Sequence, residues 1–352
     1  MKALRWHGRQ DIRLEEVEFQ EELGPGMVEV AVDYCGICGS DLAELQDGPF
    51  AIRPGPHRLT GHQPPVTLGH ELSGTILAVG PDVQNLTPAM RVCADATWRC
   101  GRCRACQNGE YNLCPDSGSI GLASDGGFAA RVRIPAYCAV PLPDHVSSVA
   151  GALVEPLSVG LHALDRGSAR AGDSVVITGF GPIGAATAEV AGALGLAVLV
   201  VEPNELRRGR AEELGYATLS PDGEPRKVSR AVRELTGGGA PVVIECSGAP
   251  AAVELAPEMS CRGGRVVSVG LPKRPVSIDA ARLILYERSL VGALGYRFDL
   301  PRIAAMIDTG ALQPERLVTR TVALDDAVTE FVRLADGGTA DLKVLVRVGA
   351  QD

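Results

Sequence analysis

Residues 175–201 read VVITGFGPIGAATAEVAGALGLAVLVV, an almost wholly apolar stretch with the length of a bilayer span. Its internal punctuation dictates a different fold. Residues 175–178 are a short β-branched run, 179–184 a glycine turn, 185–194 a helix-forming segment and 197–201 a second apolar run. That order is a buried β-α-β unit. Strands near 174–178, 197–202, 242–246, 265–269 and 290–294, alternating with helical segments, extend it into a parallel, doubly wound α/β sheet.

Gly179-Phe180-Gly181-Pro182-Ile183-Gly184 fits G-x-G-x-x-G. The glycines permit a tight turn and let a pyrophosphate approach backbone N–H groups at the helix start, where the macrodipole favours negative charge. Glu202 ends the next strand, eighteen residues after Gly184. An acid there accepts hydrogen bonds from the adenosine ribose and repels a 2′-phosphate, which predicts NAD in preference to NADP. Arg207 and Arg208 pull the other way. A ligand-free glycine turn is the plain alternative, and a strand, a helix and an acid in the required order weigh against it.

At 352 residues the chain is long for one core, and average domain size divides it into two. Before the α/β region, strands near 29–33, 74–79, 91–94 and 128–134 are separated by Gly, Pro and Asp turns, with a long loop at 48–65. This first region is β-rich. The expected boundaries are 1–155, 156–295 and a tail at 296–352 that returns to the first domain through strands near 318–322 and 342–346 and a helix near 325–334. The formal charge of −9 argues against nucleic acid and anionic membrane as partners and points to small molecules. No apolar segment follows the basic residue of MKALRWHGRQDIRLEEVEF, so the expected location is cytoplasmic.

Cys100, Cys103, Cys106 and Cys114 fall within CGRCRACQNGEYNLC. Four thiolates on short polar loops match tetrahedral Zn²⁺ at about 2.3 Å per sulfur, with no position left for substrate. The cluster reads as a structural zinc lobe over residues 95–116. Cys38, His70 and Glu155, with Glu71 beside His70, form a second, open donor set: a thiolate, an imidazole and a carboxylate leave a fourth position for water or an alcohol oxygen. On spacing alone, Cys35 competes with Cys38.

MKALRWHG, CGICGSDL, GHELSG, the four-cysteine lobe, ALVEPLSVGLHA and GFGPIG together resemble the zinc-dependent medium-chain alcohol dehydrogenases, specifically the branch of butanediol, threonine and sorbitol dehydrogenases. The resemblance covers nearly the whole chain. It implies a GroES-like catalytic domain joined to a Rossmann cofactor domain, NAD and two Zn²⁺ per chain. It further implies that Cys38, His70 and Glu155 bind the catalytic zinc, with Glu71 an alternative or exchanging ligand. Asp41 orients His70, Ser40 hydrogen-bonds the substrate hydroxyl, and Gly179, Gly181, Pro182, Ile183, Gly184, Glu202 and Arg207 hold the cofactor. The implied reaction moves hydride between NAD(H) and a secondary alcohol or its ketone, such as 2,3-butanediol and acetoin.

The chain departs from this pattern at Ala43, where many relatives carry a relay histidine. Glu44, His57, His62 or a water chain are the candidate proton exits. Ala96 aligns with a pocket-lining position and leaves room for a larger substrate, which keeps a biosynthetic alcohol dehydrogenase or ketoreductase as an alternative. A non-catalytic NAD-binding protein is the alternative from another class. Relatives form homodimers or homotetramers by pairing sheet edges, a role open to residues 290–294.

Overall fold

The computed structural model describes residues 1–19, 22–337 and 339–349. The chain opens with the hairpin β1 (Lys2–Gly8) and β2 (Asp11–Glu16), then β3 (Met27–Gly36), α1 (Gly39–Asp47), β4 (Val66–Thr67), β5 (Glu71–Val79), β6 (Arg91–Ala94), β7 (Thr97–Trp98), α2 (Arg104–Gln107), β8 (Gly118–Ser119), β9 (Arg131–Pro135) and β10 (Ala139–Pro141). The long helix α3 (Ser148–Gly167) leads into β11 (Ser174–Thr178), α4 (Pro182–Ala193), β12 (Ala197–Val201), α5 (Glu205–Glu213), β13 (Ala217–Leu219), α6 (Pro225–Leu235), β14 (Ala240–Glu245), α7 (Pro250–Met259), β15 (Ser260–Ser268), α8 (Ala280–Leu285) and β16 (Ser289–Gly292). It closes with α9 (Leu300–Asp308), β17 (Val318–Ala323), α10 (Ala327–Ala335) and β18 (Lys343–Arg347).

Two compact units result: Met1–Glu155 with Leu300–Thr339 and Lys343–Asp352, and Pro156–Asp299 with Ala340–Leu342. In the first, the main sheet has the order β10-β6-β5-β3-β18-β17, and β9 also pairs with β3. β3 changes partner along its length. Its beginning pairs with β9 from Met27↔Pro135 to Ala31↔Arg131, and its end pairs with β18 from Tyr34↔Arg347 to Gly36↔Leu345. This explains why the strand extends well beyond the expected residues 29–33: Tyr34 and Cys35 interrupt the apolar alternation, but neighbours on both sides take up their backbone groups. The C-terminal elements therefore complete a core begun 300 residues earlier in the chain. Phe331 of α10 packs edge-on against Phe128, with ring centroids 5.5 Å apart, and both rings are fully buried.

In the second unit every strand pairing is parallel, in the order β13-β12-β11-β14-β15-β16. β-branched strands such as SVVIT and AVLVV are buried by the helices that alternate with them, which is why they read as continuous apolar runs. Strand order reverses between β11 and β14, the crevice where open α/β sheets bind ligands. The helix α3 begins at Ser148, before the expected boundary at residues 155/156, and carries Pro156 inside it. Among the described residues no helix is long and apolar enough to cross a membrane.

The Phe128–Phe331 contact gives a direct test of the tail's contribution to the core. Phe128→Ala is expected to cost about 3–5 kcal/mol, as for other buried aromatic truncations, measured as a lowered urea midpoint of the first unit. A change below about 1 kcal/mol would show that the ring pair contributes little to the core.

Candidate metal centres and dinucleotide turn

β3 delivers the chain to the candidate open site. Beyond Gly36, the Ile37 N–H donates to the Val344 carbonyl at 3.0 Å, and Cys38 stands as N-cap of α1. Asp41, three residues into the cap, accepts the Cys38 N–H through Oδ2 at 3.0 Å, satisfying a donor the helix start leaves open. Its Oδ1 lies 3.6 Å from His70 Nδ1, and Ser40 Oγ lies 3.2 Å from His70 Nε2. The first turn of α1 thus brackets the imidazole at both nitrogens.

Cys38, His70 and Glu71 each offer a donor atom within 4.8 Å of the others. Burial pushes the His70 imidazole toward neutrality, but the negative charges of Asp41, Cys38 and Glu155 outweigh it and hold its pKa well above the ordinary value. A buried site so rich in negative charge calls for a cation, and thiolate, imidazole and carboxylate together suit Zn²⁺. Glu155, on α3, is buried and acts electrostatically on both His70 and Lys343, but it lies outside the three-residue group. Cys35 also lies outside it. Its thiol is in the core, where burial raises its pKa far above the usual value.

The candidate proton exits are engaged elsewhere. The buried Glu44 carboxylate accepts the N–H groups of Phe50 at 2.9 Å, Ile52 at 3.1 Å and Ala51, so it holds the start of the long loop. His57 Nε2 contacts the Ser117 carbonyl at 3.3 Å, and His62 faces Asp125 at 3.4 Å. Ala96 is buried, and its carbonyl accepts the Ile120 N–H.

The four cysteines of the lobe bring their sulfurs within 4.8 Å of one another. Cys100 Sγ accepts the Cys103 N–H and Cys103 Sγ the Cys106 N–H, each at 3.4 Å. Backbone donors at Arg102 and Cys103 lower the Cys100 thiol to about 6, while burial raises Cys106 to about 12. Four adjacent thiols do not ionise together without a cation, which is the donor chemistry of a closed zinc site. Arg99 anchors the lobe, pairing with Asp95 at 2.8 Å and lying over the Tyr111 and Tyr137 rings.

In the second unit, Gly179 leaves β11 at φ +86°, and Gly181 caps α4, with Pro182 and Ile183 opening the helix. A Cβ on Gly184 would stand 1.9 Å from the Gly179 carbonyl, so only glycine permits this turn. The buried Glu202 accepts the N–H of Phe180 at 2.6 Å through one oxygen and that of Asn204 at 2.8 Å through the other. The two arginines differ: Arg208 donates to the Glu202 and Pro203 carbonyls, whereas Arg207 lies beside Gly181 with its Nε buried and without a hydrogen-bond partner.

Among the buried charges that escaped the sequence reading, Glu245 and Lys343 bear on the glycine turn and the open donor cluster. Glu245, at the end of β14, accepts N–H groups of Ser247 and Gly248 and so fixes the loop that packs on Gly179. Lys343 contacts both Glu71 oxygens, at 2.8 and 2.6 Å. The available signal for it was a lysine within the apolar run DLKVLVRV, which has to find a buried partner.

A family model for the alcohol dehydrogenase GroES-like domain matches residues 24–144, and one for zinc-binding dehydrogenase matches residues 182–309. The chain is 35% identical over 350 residues to the (R,R)-butanediol dehydrogenase of Bacillus subtilis, covering 99% of each. To the sorbitol dehydrogenase of Rattus norvegicus it is 33% identical over 353 residues, covering 98% of this chain and 95% of that one. Its fold matches the crystal structure of 2R,3R-butanediol dehydrogenase from Bacillus subtilis with a TM-score of 0.92 at 35% identity, over 99% of both chains. It also matches a candidate zinc-binding dehydrogenase of Sinorhizobium meliloti bound to NADP, with a TM-score of 0.87 at 34% identity over 98% of both chains. These matches oppose the non-catalytic reading: the chain belongs to the zinc-dependent medium-chain alcohol dehydrogenases and is an oxidoreductase.

Proposed function

We propose that this protein interconverts a secondary alcohol bearing a second polar group, a vicinal diol or polyol such as 2,3-butanediol, with its ketone, using NAD(H). The observation that carries this reading is the grouping of the half-buried Cys38 with the buried His70 and Glu71, beside which Ser40 and Asp41 stand at the two nitrogens of the imidazole. When bound, zinc supplies Lewis-acid stabilisation of the alkoxide and NAD accepts hydride. The protein's residues supply placement and the path of the proton.

Cys38, His70 and a glutamate, Glu71 or Glu155, hold the metal. Asp41 fixes the His70 ring, as outer partners of metal-bound histidines do. Ser40 takes the hydrogen bond of the substrate hydroxyl, and with Ala43 in the relay position the proton leaves Ser40 to water. Cys100, Cys103, Cys106 and Cys114 hold a second zinc that stabilises the lobe. Gly179, Gly181, Pro182, Ile183 and Gly184 seat the pyrophosphate. Glu202 uses its remaining lone pairs on the ribose hydroxyls, and Arg207 stands at the turn. The reading includes a cytoplasmic homodimer or homotetramer, supported by the edge position of β16 and the exposed Leu290 and Leu294.

Purified protein is expected to contain two zinc ions per chain, and Cys38→Ser one, with dehydrogenase activity lost. Steady-state rates over vicinal diols, sugar alcohols, amino alcohols and hydroxyketones test the substrate class; absence of turnover on every small vicinal diol overturns it.

Glu202→Gln keeps a hydrogen-bonding side chain and removes the charge. The ratio of kcat/KM for NAD to that for NADP is expected to fall about tenfold or more, the scale of a charged hydrogen bond. An unchanged ratio would assign ribose recognition to another residue.

A further inference from the structure

Residues of the β1–β2 hairpin and of β9, with the loops around His62 and Ser124, line a cavity of about 700 Å³ within the first unit. Sites for small molecules span roughly 300–1,000 Å³. None of the candidate metal donors lines this one. Most polar groups on its wall are already paired. Trp98 Nε1 donates to Ser124 Oγ at 2.9 Å, Thr60 Oγ1 donates to the Ala123 carbonyl, and Asp125 Oδ1 accepts the Thr67 N–H at 2.8 Å. Arg131 and Arg133 share Glu29, at 3.3 and 3.2 Å.

Arg5 differs from them. Its terminal nitrogens reach the Pro65 carbonyl and, at 3.5 Å, Glu15, while its Nε is buried and has no hydrogen-bond partner. His62 Nε2 is likewise buried without one, with Asp125 at 3.4 Å. An orphaned buried donor is costly, and a guanidinium nitrogen can only donate, so the molecule that fits this wall has to accept. The rim limits its charge. Glu16 and Glu18 are exposed there and repel a polyanion, and Glu29 already balances the arginines of β9, which leaves Arg5 Nε to face one negative charge. The remaining wall is apolar and partly flat, with the indole of Trp98 and, under the Arg133 guanidinium, the ring of Phe19. We propose that this cavity is a binding site for a small organic monocarboxylate with a planar apolar body, its carboxylate accepting from Arg5 Nε and its body lying against Trp98. The site is separate from the donor cluster and does not rest on the proposed function.

The chain has two tryptophans, which makes the test direct. Trp98 lines the cavity, whereas Trp6 is buried with its Nε1 on the Glu44 carbonyl. Benzoate is expected to quench the intrinsic fluorescence saturably, and Trp98→Phe to lose the saturable part; no saturable quenching, or quenching that survives in Trp98→Phe, overturns the inference. Benzamide keeps the shape without the charge and is expected to bind about tenfold more weakly, the scale of a charged hydrogen bond. Equal affinity for the two overturns the role given to the carboxylate. Benzoate affinity should persist in Cys38→Ser, and its loss there would assign the carboxylate to the donor cluster and overturn the separate site. Arg5→Met is expected to weaken benzoate about tenfold. Should that variant fail to fold, Ala129→Leu narrows the cavity while leaving every bond of Arg5 in place, and it is expected to weaken benzoate as well. Unchanged affinity in either variant overturns the inference.

Discussion

The site depends on the register at the end of β3. There one strand meets β5 on one side and β18 on the other, with Val346, Cys35 and Leu72 on one rung and Leu345, Gly36 and Glu71 on the next. The first rung is core: Cys35 and Leu72 are buried in the hydrophobic cluster. Because side chains alternate between faces, that choice also fixes which face receives Glu71, and a slip of one residue would exchange the two. The polar site is thus positioned by an apolar requirement. Once Gly36 is placed, Ile37 is bound to β18 and Cys38 begins α1, whose first turn carries Ser40 and Asp41 to the two nitrogens of His70.

Charge then limits what such a site can hold. Cys38, Asp41, Glu71 and Glu155 all carry negative charge when ionised, against Lys343 and His70 on the positive side. Burial makes that excess costly, and a divalent cation relieves it. The lobe reaches the same condition by other means, with four thiols in one short segment and backbone N–H groups directed at two of the sulfurs. One site is made by local sequence. The other is assembled from strands whose partners lie 272 residues apart in the chain, as for Lys343 and Glu71.

That contrast explains what could be read in advance. The cysteine cluster of the lobe was legible because its members are neighbours in sequence, and β11 because a parallel strand buried on both faces is a continuous β-branched run. β15 was read from residue 265 but begins at Ser260: its early part contains Gly263 and Gly264, and its pairing with β14 shifts register there. Glu44 was one of several candidate proton exits, and its carboxylate accepts the N–H groups of Phe50, Ala51 and Ile52, which only the folded loop brings there. Lys343 was missed for a related reason. A lysine in an apolar strand signals a buried partner without saying which.

The glycine turn shows how one side chain can serve structure and, in the proposed function, recognition together. Glu202 is placed where an acid reads the ribose, yet its two oxygens already hold the N–H groups of Phe180 and Asn204, binding the glycine turn to the start of α5. Each oxygen retains lone-pair capacity for a ribose hydroxyl. In the proposed function, recognition would use a carboxylate whose orientation is set before any cofactor arrives, and less is lost in ordering it on binding. Arg208 is committed to the backbone carbonyls of Glu202 and Pro203, whereas Arg207 retains an unpartnered buried Nε beside Gly181. Under the proposed function, selectivity at this turn is a matter of geometry as much as charge: the carboxylate proposed to read the ribose also holds the glycine turn through the Phe180 N–H.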